Sequence, residues 1–353
     1  MVRLQLVILA TIGAVRAAPT TAEPSTPAGL PLPVSTVYSF PKGSFVENLA
    51  VRSNGEILVT RTTSAELVLL DPQRPGCAVP VYNFTKAGLS GMTGITEYAP
   101  DVFAVLAGDY HFGKSVGVGS WTLFSLDMRG VKLSQAACGL AGGNLPRVRK
   151  VALVKESQLL NGLAAHGKYV LASDTFAGLI YRVDMSTGDY SVAINATYLS
   201  KLKTPHGVNG IRIVGDTLYA ANSGQSILVK VPITENGAEA GPYTVIAHNK
   251  GPVDHWDDFA VDSEGGIWAV TASGNTLVRI TPDGNTQTVV AGNLNSTAIA
   301  EGSSAQFGRG SCDSNVLYVT TVGGLLGPIN GTVVIPGALV SVDTEKRGAV
   351  GIY

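Results

Sequence analysis

Along most of the chain, short alternating apolar runs follow a small polar pair. Glu47-Asn48 precedes Leu49-Ala50-Val51, a Ser53-Asn54-Gly55 turn follows, then Ile57-Leu58-Val59-Thr60, then Leu67-Val68-Leu69-Leu70-Asp71. Period-two runs of this length bounded by Gly, Asn, Asp and Ser read as β-strands in hairpins. The unit recurs as Asn161-Gly162-Leu163-Ala164 with Tyr169–Ala172 and Leu179–Asp184. It recurs again as Asn209-Gly210-Ile211 with Thr217–Ala220 and Ile227–Val231, and as Asp258-Phe259-Ala260-Val261 with Ile267–Val270 and Leu277–Ile280. Looser copies begin at Thr93-Gly94-Ile95 and after Gly308.

The units start near positions 47, 93, 161, 209, 258 and 308, with an insertion over residues 128–157. Six units with a period of about 48 residues predict an all-β fold, a six-bladed β-propeller of four-stranded blades. A ring must close, so the outermost place of one blade falls either to residues 34–40 or to the tail 350–353. The propeller is expected over 34–353 as one domain. Residues 19–33, rich in Pro, Thr and Ala, form a spacer.

The first residues differ in kind. Arg3 precedes a mostly apolar run, Leu4–Val15, and small residues follow at Ala17 and Ala18. That run is too short to span a bilayer comfortably and predicts a cleaved secretory signal over 1–18. Secretion gives meaning to four N-x-S/T sequons, at Asn83, Asn195, Asn295 and Asn330, which are the expected glycosylation sites. It also suits one disulfide among Cys77, Cys138 and Cys312, with Cys77–Cys138 the expected pair.

Composition narrows the classes of function. Of 353 residues 14% are charged, the net charge is −1, and 42 are Gly. Without a Lys/Arg surplus, nucleic acid is not an expected partner. No later run is long enough for a membrane span, and a monomer acting on small apolar organic molecules is expected.

Propeller topology brings two sets of residues to one mouth of the central channel. The first set begins the inner strands: Glu47, Thr93, Asn161, Asn209 and Asp258. Carboxylate and amide oxygens around one axis suit a hard divalent cation such as Ca²⁺, Mg²⁺ or Mn²⁺. No organic cofactor is expected. The second set lies in loops between second and third strands, and in the segments entering the inner strands. Asp109, Tyr110, His111 and Phe112 open a long loop, Phe176 and Arg61 lie in two others, and His206, His255 and Trp256 precede inner strands. Tyr110, Phe112, Phe176 and Trp256 offer apolar contact to a hydrocarbon, with His206 beside them. His111, His255 or Arg61 could donate to a carbonyl oxygen, with Asp109 next to His111. His166, in an opposite turn, is expected to face solvent.

On these motifs the chain resembles the SMP-30/gluconolactonase/luciferin-regenerating-enzyme propellers over residues 40–345. The resemblance implies that Glu47, Asn209 and Asp258 hold one divalent metal and that Asn161 contacts substrate. It departs from the family where Asn48 and Phe259 replace glycines, which crowds the mouth. The stretches Glu47–Thr60 and Gly310-Ser311-Cys312-Asp313 are similar to a secreted, glycosylated fungal subgroup. That subgroup includes hetero-Diels–Alderases of tropolonic sesquiterpene biosynthesis, which join an o-quinone methide to a humulene-type olefin. Catalytic roles are therefore expected for Asp109, His111, His255 and Arg61. A metal-dependent lactonase or ester hydrolase, and a non-catalytic binding propeller, are the alternatives.

Overall fold

A computed structural model describes residues 29–202, 204–249 and 255–349. The signal and most of the spacer expected at the N-terminus, and the tail 350–353, lie outside the described residues. Six four-stranded antiparallel sheets form the expected six-bladed propeller. The inner strands are Val46–Val51, Gly91–Ala99, Leu160–His166, Val208–Val214, Phe259–Val261 and Gly302–Phe307. The sixth blade thus begins before Gly308, because Gly302–Phe307 pairs with Val316–Thr321.

The ring closes through the first strand of the chain. Val34–Ser39 pairs with Ala338–Asp343 and becomes the outermost strand of blade six. Joining the two ends of the ring within one sheet leaves no gap between first and last blades. Apolar clusters fill the wedges between blades. One joins blades one and two through Leu58, Leu67, Phe103 and Leu126. Another joins blades four and five through Leu228, Trp256, Phe259 and Ile267.

The insertion after blade two's third strand folds under blade one. Cys77 and Cys138 form the expected disulfide across 61 residues, while Cys312 is free and exposed. Glu56 accepts a hydrogen bond from the Leu133 amide at 2.8 Å, and Arg52 donates to the Met128 carbonyl at 3.0 Å. Arg52 also pairs with Glu56 and with Asp101. His166 lies at the turn end of its strand, with Nε2 2.9 Å from the Thr234 carbonyl oxygen.

Candidate functional site

The inner strands of blades one to four each carry an irregularity at their start, and these irregularities build the site. Pairing with the second strand skips two residues between Val46 and Leu49, Met92 and Ile95, Leu160 and Leu163, and Val208 and Ile211. The skipped pairs are Glu47-Asn48, Thr93-Gly94, Asn161-Gly162 and Asn209-Gly210. Such bulges turn successive side chains away from simple alternation and re-aim them. In blade five, Phe259 pairs with Ala269 as Ile211 pairs with Ala220. The equivalent pair is therefore Asp257-Asp258.

This register corrects one expectation. Asp257, not Asp258, stands with Glu47, Asn161 and Asn209 around the channel, and Asp258 occupies the place that glycine holds in blades two to four. The glycines are required there because the next blade's backbone lies against them. A Cβ at Gly94 would stand 2.1 Å from the Asn161 carbonyl oxygen, and one at Gly162 2.6 Å from that of Asn209. Hydroxyls on the second strands stitch the bulges together. Thr60 donates to the Thr93 carbonyl at 2.6 Å, and Ser173 to that of Asn209 at 2.5 Å.

In the upper ring, Glu47 is bonded to the Asn161 side chain, and Asn209 Nδ2 donates to Asp257 Oδ1 at 2.6 Å. Glu47 and Asp257 are buried, and neither forms an ion pair among the described residues. Burial, opposed by the Asn161 bond and reinforced by the charge of Asp258, raises the Glu47 carboxyl to about 7. Burial, then the charges of Glu47 and Asp258, raises Asp257 well above the usual carboxylate range. Removing a carboxylate from water disfavours its charged form.

Asp258 lies beneath this ring in a separate network. Its Oδ2 accepts from Arg212 Nη2 at 2.7 Å, Ser304 Oγ at 2.7 Å and Asn48 Nδ2 at 3.3 Å. Asn48 and Asp258, both at the glycine place of their blades, thus meet across the channel. They and Arg212 make a polar floor. Below it, towards the hairpin turns, a cavity of about 470 Å³ is lined by residues including Leu49, Ile95, Leu163, Arg212, Val261 and Phe307.

Several expected mouth residues gather above the ring. Phe112 packs edge-on against Phe45, with centroids 5.6 Å apart, and Phe176 edge-on against His206 at 5.2 Å. His206 lies 6.3 Å from His255, whose Nδ1 sits 3.0 Å from the Ser223 carbonyl oxygen. Burial, then the nearby His255, lowers the His206 imidazole. Burial and the charge of Glu47 raise the Tyr110 phenol to about 12, so it stays a hydrogen-bond donor near the ring.

Other expected site residues are placed elsewhere. Trp256 is buried in the core between blades four and five, not open to the mouth, because its ring fills space beside Phe259. Arg61 is committed to Glu66 at 3.3 Å and lies over the Phe40 ring at 5.1 Å. Asp109 and His111 face one another at 3.1 Å, each 55% exposed. Sequence reading passed over Asp257, Phe45 and Arg212. The signal for Asp257 was present: in four other blades the first apolar residue follows the polar pair directly, so Phe259 marks 257 and 258 as that pair.

The ring offers a partial fit to a cation. Asn209 Oδ1 is buried and accepts no hydrogen bond among the described residues, and a positive charge there would satisfy it. Glu47, Asp257 and Asn209 would hold such an ion, which would act as a Lewis acid on a substrate oxygen. Asp258 is not free to join them, since its Oδ2 is already held by Arg212, Ser304 and Asn48 and its Oδ1 by the Phe259 amide. Among the described residues no three His, Cys, Asp or Glu side chains converge on a metal position, so an amide oxygen would have to complete the set.

The fold is shared with known proteins. Residues 171–323 match the SMP-30/Gluconolactonase/LRE-like region. That SMP-30-like region runs from the second strand of blade three to just past the second strand of blade six. Among sequences, a protein of Sarocladium schorii provisionally assigned as a hetero-Diels-Alderase is 28% identical, covering 89% of this chain and 84% of its own. A protein of a Phoma species with the same provisional assignment is 29% identical, covering 82% of this chain and 87% of its own. Among solved structures, a luciferin-regenerating enzyme superposes with a TM-score of 0.62 at 13% identity, over 91% of this chain and 98% of the other. Regucalcin of Agrobacterium tumefaciens strain C58, a calcium-binding protein, gives 0.59 at 16% identity, over 92% and 96%. The structural likenesses concern the fold. The sequence relatives are enzymes by name, which supports an enzymatic role. No helix among the described residues is long and apolar enough to cross a membrane.

Proposed function

We propose that the chain is a hetero-Diels–Alder cyclase that joins an o-quinone methide to a humulene-type olefin at the upper mouth of its channel. The observation that carries this reading is the match to two provisionally assigned hetero-Diels-Alderases over 89% and 82% of the chain. The site's chemistry agrees. A cycloaddition needs no nucleophile, only two partners held in register and donors aimed at the oxygen that gains charge. Phe45, Phe112 and Phe176 supply apolar contact above the ring. Tyr110 and the raised carboxyls of Glu47 and Asp257 supply protons to hydrogen-bond that oxygen without transferring them.

The deciding experiment follows product formation from a quinone-methide precursor and the olefin, with and without protein. The reading requires faster formation than in buffer and one enantiomer in excess. A racemic product at the buffer rate overturns it and leaves a binding propeller.

One observation favours a second reading, a divalent-metal-dependent lactonase: Asn209 Oδ1, which accepts no hydrogen bond among the described residues, beside two buried carboxyls. Turnover of simple lactones that EDTA abolishes would establish it in place of the cyclase. Cycloaddition that survives EDTA removes the metal from the reaction.

A further inference from the structure

Asn209 meets two groups through the same nitrogen, and only one of them fixes which way its carboxamide faces. Nδ2 donates to Asp257 Oδ1 at 2.6 Å and to Ser223 Oγ at 3.1 Å, while Oδ1 accepts nothing among the described residues. Asp257 does not discriminate between the two ends of the amide. An ionised carboxyl accepts, but a protonated one also donates, so it satisfies either end. Ser223 does discriminate. Its hydroxyl has a single proton, which goes to the buried Trp256 carbonyl oxygen at 2.7 Å. A carbonyl only accepts, so that proton is committed and Ser223 Oγ is left as an acceptor. Asn209 must then turn its nitrogen to Ser223 and keep Oδ1 for the ring. The reversed amide would need the Ser223 proton for itself and would take this donor from the buried Trp256 carbonyl, a costly loss.

The chain around Ser223 is anchored on every side. Ser223 directly follows the strand Thr217–Asn222, in the loop that leads to Ile227–Pro232 at the upper mouth. Its amide donates to the Gly207 carbonyl at 3.1 Å, and its carbonyl oxygen accepts from His255 Nδ1 at 3.0 Å. Asn222 Nδ2 donates to the Tyr198 and Ser200 carbonyls, both at 2.9 Å. A Cβ at Gly224 would stand 2.0 Å from the His206 carbonyl oxygen, so only glycine lets the loop lie against the segment entering blade four.

We propose that Ser223 is a positioning residue of the upper ring: it holds the Asn209 carboxamide with nitrogen outward and Oδ1 inward, as a preset acceptor for a hard divalent cation. Ser223 is not itself a ligand in this arrangement. It acts through Asn209, and its hydroxyl links the entry to blade five, at Trp256, to the inner strand of blade four. The use by a cation rests on the metal-dependent reading above, whereas the orientation of the amide rests on neither reading.

The test compares full-length wild type, Ser223→Ala and Ser223→Thr, each shown to be folded by thermal melting. Ser223→Cys, whose thiol is a weak donor, replaces the alanine variant if that does not fold. Neutron diffraction from deuterium-exchanged, EDTA-treated crystals reads the amide directly, because deuterons mark Nδ2. Nδ2 should face residue 223 in wild type and Ser223→Thr, and the amide should be mixed or reversed in Ser223→Ala. A reversed amide in wild type, or an unchanged one in Ser223→Ala, overturns the proposal. Calorimetric titration with Mn²⁺ reads the consequence. Ser223→Ala should bind about tenfold more weakly, the usual scale for losing a partner that orients a ligand. Ser223→Thr, which keeps the hydroxyl, should bind as wild type does. An alanine variant with wild-type affinity overturns the positioning role. Wild type that takes up no Mn²⁺ strikes the cation from the proposal and ends the metal-dependent reading, while the diffraction result still decides what Ser223 does.

Discussion

Arg212 Nη2 meets Asp258 Oδ2 at 2.7 Å inside the channel, joining the inner strands of blades four and five directly beneath the ring that holds Glu47 and Asp257. The Asp258 side chain is 3% exposed and that of Arg212 21%. Removing one member of a buried pair strands the other, which costs about 3 kcal/mol or more. Asp258→Ala should lose about that much in urea unfolding. Asp258→Asn, which keeps an oxygen for Ser304, should lose less. An Asp258→Ala variant within about 0.5 kcal/mol of wild type would show that the pair does not hold the floor.

Stability should fall with pH between the ordinary and the raised carboxyl range. Glu47 has a folded value of about 7 against 4.5 for an unperturbed glutamate. Its protonated form therefore favours folding fully below pH 4.5, and that contribution is lost as pH rises through about 7. At 1.36 kcal/mol per pH unit the loss is about 3 kcal/mol, and Asp257 adds in the same direction. Unfolding in EDTA at pH 4.5 and pH 8 reads it. Glu47→Gln should remove the Glu47 share of this slope, and an unchanged slope would remove Glu47 as a source of it.

A divalent cation tests the register of blade five. If Glu47, Asp257 and Asn209 hold an ion, Ca²⁺, Mg²⁺ or Mn²⁺ at a hundred times its dissociation constant should stabilise the fold by about 2.7 kcal/mol. Asp257→Asn should weaken this thermal shift far more than Asp258→Asn. The opposite ranking would restore Asp258 as the ligand.

The Cys77–Cys138 bridge closes a loop spanning 61 residues and ties the insertion to blade one. In the chain-entropy account a loop of this size contributes about 4 kcal/mol. Cys77→Ser/Cys138→Ser should lower the melting temperature. Reaction at the upper mouth should persist at permissive temperature, because the bridge sits on the hairpin-turn side of blade one. Loss of activity in a folded variant would refute that separation.

Much of this molecule was written in local pattern. Period-two runs after a small polar pair, repeated six times, are enough to specify four-stranded blades, because each blade buries both faces against its neighbours and each repeat must supply the same strands. The position of Glu47, Asn161 and Asn209 at strand starts followed from the same repeat. Three things did not. Closure by Val34–Ser39 rather than the tail is a pairing between the two ends of the chain, which no local run encodes. The exchange of Asp258 for Asp257 depends on a two-residue bulge, and a slip of one position reverses which carboxylate faces the ring. The fates of Arg61 and Trp256 depended on Glu66, Phe40 and the wedge between blades four and five, neighbours supplied by packing. Sequence settled which residues reach the mouth end of the channel; tertiary contacts settled which of them remain unpaired there, because a side chain's chemistry is set by the partners that burial brings to it.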